Sequence, residues 1–196
     1  MTPIKQESAT ESQMIMSPAS LWKYLCVNLA LPNAVVNIVI NVVIGLAFFW
    51  KYSEIGIYSG DNPLFPDIII STFISIFIVH LASIKLSSRY LESINMAFPP
   101  AKDGLAAFFG SGNSLLHRIR GGIVLGLLWG LTAATITFVI CAAFDVQKAA
   151  FADVMKMKSV VAFLIGYIQS IISGYANVRG RTFARLQRIP IRSVLL

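Results

Sequence analysis

Four apolar runs constrain this chain more than anything else in it: Leu31 to Trp50, Ile68 to Ile84, Gly121 to Phe144 and Val160 to Val178. Each approaches the ~17–25 residues a helix needs to cross ~30 Å of hydrocarbon at ~1.5 Å per residue. The second is the shortest, with Asp67 and Lys85 bounding it. Inside hydrocarbon every backbone N–H and C=O must be satisfied by protein, which leaves helices or closed barrels, and runs of this length are helices. Composition agrees. Of 196 residues, 56% are hydrophobic and only 13% charged, against about 25% charged in soluble domains. The expectation is an all-α integral membrane protein of four transmembrane helices arranged as two hairpins.

Lysine and arginine set the expected orientation. Twelve of the 16 lie in three segments: the N-terminal tail (Lys5, Lys23), the central segment (Lys85, Arg89, Lys102, Arg118, Arg120) and the C-terminal tail (Arg179, Arg181, Arg185, Arg188, Arg192). The two hairpin loops hold Lys51, Lys148, Lys156 and Lys158. The positive-inside rule then puts both termini in the cytoplasm. Residues 1–19 read as a disordered tail and 20–178 as the membrane domain, with spans near 31–50, 68–84, 121–144 and 160–178. The cytoplasmic loop is 85–120 and the basic tail 179–196. Ser20 to Leu31, with Trp22 and Tyr24, reads as a short interfacial helix leading into the first span. The missing N–H of Pro32 suits a helix start.

Small residues recur every fourth position in two spans. Gly122, Gly126, Gly130 and Ala134 form one ladder, and Gly166, Ser170 and Gly174 a second. In lipid such ladders let helices approach closely. A weak internal repeat also shows: adding 89 carries Asn33, Asn37, Asn41 and Gly45 onto the first ladder and His80 onto Gln169. The matches are too few to prefer over chance.

Polar residues within the spans are the candidate site. Asn37 and Asn41 share a face of the first span, His80 lies in the second, and Gln169 and Ser173 lie in the fourth. By depth these gather in the cytoplasmic half, with His80 buried among them. Asparagine, glutamine and serine also serve as interhelical hydrogen-bonding glue, at about 0.6 kcal/mol per contact. Asp67 and Asp145 lie at outer span ends, where capping or interfacial water accounts for them. Arg181, Arg185 and Arg188 recur at helical spacing, as in a tail helix that contacts anionic lipid headgroups.

Several function classes drop out. No zinc-protease helix motif, nucleophile elbow or phosphate-gripping glycine loop occurs, so no enzyme is expected. No metal site or cofactor is expected, since haem would need His117, outside the spans, as a second ligand. The +7 net charge sits at membrane edges and does not imply nucleic acid. Cys26 and Cys141 read as unbridged thiols. The absence of an Asn-x-Ser/Thr sequon leans towards a bacterial inner membrane.

The leading expectation is a non-enzymatic polytopic protein whose glycine ladders pack it into a homo-oligomer, or into a larger complex as an accessory subunit. The alternative is a small transporter or gated channel with its site among Asn37, Asn41, His80, Gln169 and Ser173.

Overall fold

The computed structural model describes residues 17–58, 63–94 and 115–187. The chain opens with α1 (Pro18–Lys23), widens into a π-helical stretch (Tyr24–Ala30) and continues as α2 (Leu31–Phe49). Strand β1 (Glu54–Gly56) precedes α3 (Leu64–Ile94); α4 (Leu115–Ala143), β2 (Lys148–Ala150) and α5 (Phe151–Gln187) follow. Among the described residues, four helices are long and apolar enough to cross a membrane: Ala19–Phe49, Leu64–Ser93, Leu115–Ala143 and Phe151–Arg179.

The helices outrun the apolar runs at nearly every boundary. Residues 85–94 and 115–120, expected in a loop, are helical, as are residues 151–159 before the fourth run. Hydrophobicity marks the lipid-facing length, whereas a helix continues for as long as its backbone finds partners.

The stretch before the first span is a correction. It does not lie apart as an interfacial helix. The helix is continuous from Pro18, and Leu25, Leu29 and Ala30 are fully buried. Pro32 cannot donate to the carbonyl of Asn28, and its ring crowds that turn. A π turn, with one more residue per hydrogen-bonded ring, carries the chain past this point without ending the helix.

At the other end, α4 stops where Asp145 takes a left-handed conformation, φ 50°. Val146 N–H donates to Cys141 O at 2.8 Å and Asp145 N–H to Ala142 O at 3.3 Å. This pair of bonds closes the orphan carbonyls at a helix end. The two loops leaving α2 and α4 are tied by an unexpected antiparallel ladder, with Glu54 opposite Ala150, Ile55 opposite Ala149 and Gly56 opposite Lys148. Both loops therefore lie at one end of the bundle, here termed the loop end. Ile55 and Ile57 bury there with Phe49, Leu64 and Val154. At the opposite end Leu21, Tyr24, Leu25 and Leu29 pack with Leu91 and Val178, and the Tyr24 and Tyr90 rings stack 3.6 Å apart.

Helix α3 packs against α4, and α5 packs against α2, with α3 and α5 in contact between the two pairs. The helices in closest contact are thus not those joined by the short loops. Glycines explain the first seam. A Cβ on Gly126 would lie 3.0 Å from Phe73 O, and one on Gly130 would lie 3.0 Å from Ile69 O. Gly122 faces Phe77 and His80 in the same way. On the second seam Gly166 meets Asn37, while Gly174 meets Leu25 and Leu29. Ala134 is buried in the same core, and Ser170 turns its hydroxyl onto Gly166 O at 2.7 Å. Both ladders are therefore occupied inside the chain. The expectation that they form the surface for a partner is corrected here, because another helix of the same chain already fills each groove.

The 89-residue repeat gains a structural counterpart. Gly126 lies over Phe73 O on the α4–α3 seam. Shifting both partners by 89 gives Asn37 and Ala162, and Asn37 Nδ2 donates to Ala162 O at 2.5 Å. The two seams are built to one register.

Candidate functional site

The interior of the bundle carries a polar seam along α3. Its members run from Asp67 through Ser71, Thr72, Ser75, His80 and Ser83 to Ser87 and Ser88, all nine-tenths or more buried. From Asp67 to Ser88 the helix rises about 32 Å, close to the ~30 Å of a bilayer's hydrocarbon. Helix α3 brings these groups in, and α2 and α5 answer them.

At the loop end, Lys158 Nζ donates to Asp67 Oδ2, with both side chains 3% exposed. Among the described residues these are the only buried charged side chains. The Phe49 ring lies 5.9 Å from the ammonium. Gly45 leaves room beside it, since a Cβ there would sit 3.4 Å from Nζ. Asp67 Oδ1 is buried without a hydrogen-bond partner. Next to the pair is a cavity of about 10 Å³ lined by Asn41, Ser71, Thr72, Thr137 and Lys158, with Ile68, Met157, Val161 and Ala162 completing the wall. That is about the room one water needs, and polar walls are what make such a cavity wet.

One layer further in, Asn41 Nδ2 donates to Ser75 Oγ at 3.0 Å and to Asn37 O at 2.9 Å. Asn37 has given its amide to Ala162 O, and its Oδ1 is buried without a partner.

The third layer holds the histidine. His80 Nδ1 lies 2.8 Å from Ser173 Oγ, Gln169 Nε2 donates to Ser173 Oγ at 2.6 Å, and Trp129 Nε1 donates to Gln169 Oε1 at 2.6 Å. Ser173 Oγ accepts from Gln169 and shares a hydrogen bond with Nδ1 whose donor is set by the imidazole tautomer, while His80 Nε2 is buried. Beyond it, Asn33 Nδ2 donates to Ser83 Oγ at 2.9 Å, and Asn177 Nδ2 reaches Ile84 O, Ser87 and Ser88.

The five sequence candidates thus fall into two groups. His80, Gln169 and Ser173 are joined directly, with Gly122 against the imidazole as expected. Asn37 and Asn41 are joined to each other and not to the histidine. The polar layer is not confined to one half of the bundle, and that expectation is corrected by the charged pair at the loop end.

Lys158 and Asp67 were missed for different reasons. Lys158 was placed in a loop, but it stands four residues before Ala162 and eight before Gly166. It is the polar member of the second ladder extended towards the loop end. Asp67, Ser71 and Ser75 are likewise spaced by four, so the assumed cap lies on the inward face. Trp129 carried no signal beyond its place beside Gly130.

The basic tail is helical as far as Gln187. The side chains of Arg181 and Arg185, and all of Arg188, lie outside the described residues. A larger cavity of about 470 Å³ lies against α3 and α4, lined by Tyr58, Phe65, Ile69 and Phe138, and is separate from the polar seam.

Mostly helical, with four helices of membrane-crossing length and apolarity, the molecule has the make-up of a four-helix membrane protein with a charged, hydrogen-bonded interior. No protein family, curated protein or solved structure matches the chain.

Proposed function

We propose that the protein is a small non-enzymatic transporter or gated channel for an ion or small polar solute. It would sit in a bacterial inner membrane with both termini in the cytoplasm. The observation that carries this reading is the polar seam along α3, charged at one end and reaching Ser87 and Ser88 near the other. Charged groups within a bilayer are costly, and where they occur they usually mark ion pathways or relays. Interhelical glue needs only neutral groups at about 0.6 kcal/mol per contact. A desolvated ion pair is weak support for stability, since apolar side chains of similar size commonly do as well or better. Burial of nearly every member favours a gated path over an open one.

The accessory-subunit reading loses its contact surface, since both ladders face helices of the same chain. A partner would have to use another face, such as Ile123, Leu127 and Leu131 on α4, and lipid covers such a face equally well. Basic residues near the ends of the helices suit anionic headgroups.

The test is flux in proteoliposomes holding the purified full-length chain, with H⁺, Na⁺, K⁺ and Cl⁻ gradients imposed in turn. Transport of any of them that falls at least tenfold in His80→Ala supports the reading. Liposomes no more permeable than protein-free controls to all four would remove it for small ions.

A further inference from the structure

We propose that Asp67 and Lys158 form a proton relay, and that the proton is the ion this protein carries; this rests on the transport reading above. The pair has two unlike ends. Asp67 offers a buried carboxylate oxygen, Oδ1, with no hydrogen-bond partner in the protein. Lys158 lines a polar cavity with room for about one water. A proton can therefore be accepted on one side of the pair and released on the other.

The step balances without any redox partner. A proton arriving at Oδ1 forms an O–H bond and leaves the Lys158 ammonium as the local charge. The ammonium gives one proton to a water in the cavity, breaking an N–H bond, so a neutral amine faces a neutral carboxylic acid. Rotation of the carboxyl about Cβ–Cγ brings the protonated oxygen to Nζ, the O–H bond breaks as the N–H bond forms, and carboxylate and ammonium are restored. One proton has crossed the pair, and every other atom has kept its bonds.

The surroundings favour a proton over a metal cation. Asn41, Gly45 and Phe49 face the pair from α2, Thr137 from α4, Ser71 and Thr72 from α3, and Met155 and Met157 from α5. None of these titrates near neutral pH or carries charge. The Asn41 amide nitrogen is committed to Ser75 and Asn37. A metal cation would need a shell of several oxygens and would sit against the ammonium. A proton needs one lone pair.

The experiment uses the full chain in liposomes loaded with a pH-sensitive dye, with the membrane potential clamped by potassium and valinomycin. Wild type is expected to collapse an imposed pH gradient at least tenfold faster than empty liposomes. Asp67→Asn and Lys158→Met should each fall to the empty-liposome rate. Because a single change strands a buried charge and can unfold the bundle, the deciding variant is the double change Asp67→Leu with Lys158→Met. It removes both charges while keeping the branching of each side chain, and its folding is checked by a monodisperse profile and helical circular dichroism. A folded double variant that still carries protons overturns the relay and makes the pair structural. If wild type carries Na⁺, K⁺ or Cl⁻ but not protons, the relay is wrong and the transport reading stands. If it carries none of these ions, the relay falls together with the transport reading for small ions. Infrared difference spectra offer a second readout: wild type should gain a carboxylic-acid carbonyl band on acidification that is missing in Asp67→Asn.

Discussion

Replacing Gly130 with leucine tests whether the first ladder is an internal seam. An ideal Cβ at Gly130 would lie 3.0 Å from Ile69 O and 3.6 Å from Ile69 Cγ2. The oxygen is backbone, so no rotamer change relieves the contact, and α4 must retreat from α3 by a few tenths of an ångström. The same holds at Gly126, where the neighbour is Phe73 O. A radial gap of about 0.5–1 Å already forfeits a quarter to a half of the dispersion well. Overpacking of this kind costs about 1–3 kcal/mol, and the leucine belongs at the upper end. Gly130→Ala should cost less, because alanine recovers up to about 1 kcal/mol of helix propensity. The control is Leu128→Ile, which conserves volume on the face away from α3, where Leu128 is 59% exposed. Equilibrium unfolding in mixed micelles, repeated at several protein concentrations, reads the effect. The loss should not depend on concentration, since the contact lies within one chain. Unchanged unfolding in both glycine-to-leucine variants would mean that α4 does not sit on α3. A loss that vanished at high protein concentration would return the ladder to an intersubunit role.

Other perturbations give further expected outcomes. Lys158→Met alone should destabilise by about 3–5 kcal/mol, because it leaves Asp67 charged and buried. Adding Asp67→Leu should recover most of that loss in a double-mutant cycle, and no recovery would show that the two side chains do not meet. Asn177→Leu removes an amide whose two N–H bonds serve three oxygens on α3; at about 0.6 kcal/mol per contact its cost is near 1 kcal/mol, and a stabilised variant would contradict the contact. For the orientation, a cysteine probe at Lys148 should react with an impermeant reagent from outside intact cells while one at Ser17 stays protected; the opposite labelling would invert the proposed topology.

Fold class was legible because hydrocarbon leaves so few options: four apolar runs of sufficient length become four helices whatever their residues do in detail. Helix ends were not legible to the same degree. Lys85, Arg89 and Arg118 continue helices, although their charge ended the apolar runs. The small-residue ladders are legible as grooves, but periodicity identifies a groove and not what fills it. Only tertiary contact shows α3 in the first groove, and α2 with its π stretch in the second. Depth points to the histidine layer, since Ser173 lies at nearly the depth of His80 and Gln169 about one turn deeper on the same helix. The charged pair could not be found by hydropathy, which treats each charge as a boundary and cannot see two opposite charges cancelling across a seam. Spacing by four, followed through the lysine and the aspartate, holds the information that hydropathy discards.

The two seams share a register but not a chemistry, and this difference locates the site. Where α4 presents Gly126 to a carbonyl of α3, α2 presents Asn37 to the equivalent carbonyl of α5. Glycine closes the first seam by approach alone and adds no polar group. Asparagine fills the second with an amide, and its orphaned Oδ1 is left inside. A purely structural duplication would have no need of that difference, since glycine already joins such a pair of helices well. Asn37→Gly tests this difference. The Ala162 carbonyl can keep its helical partner, so the loss in stability should stay near 1 kcal/mol, the scale of a single interhelical bond in membrane bundles. Flux, measured in the same proteoliposomes, should fall severalfold because the change removes the buried Asn37 amide and its unpartnered Oδ1 from the polar seam. If Asn37→Gly unfolds the bundle, the asparagines are glue. If it leaves both stability and flux untouched, the polar seam has no part in transport at this level, and the path must run elsewhere in the bundle.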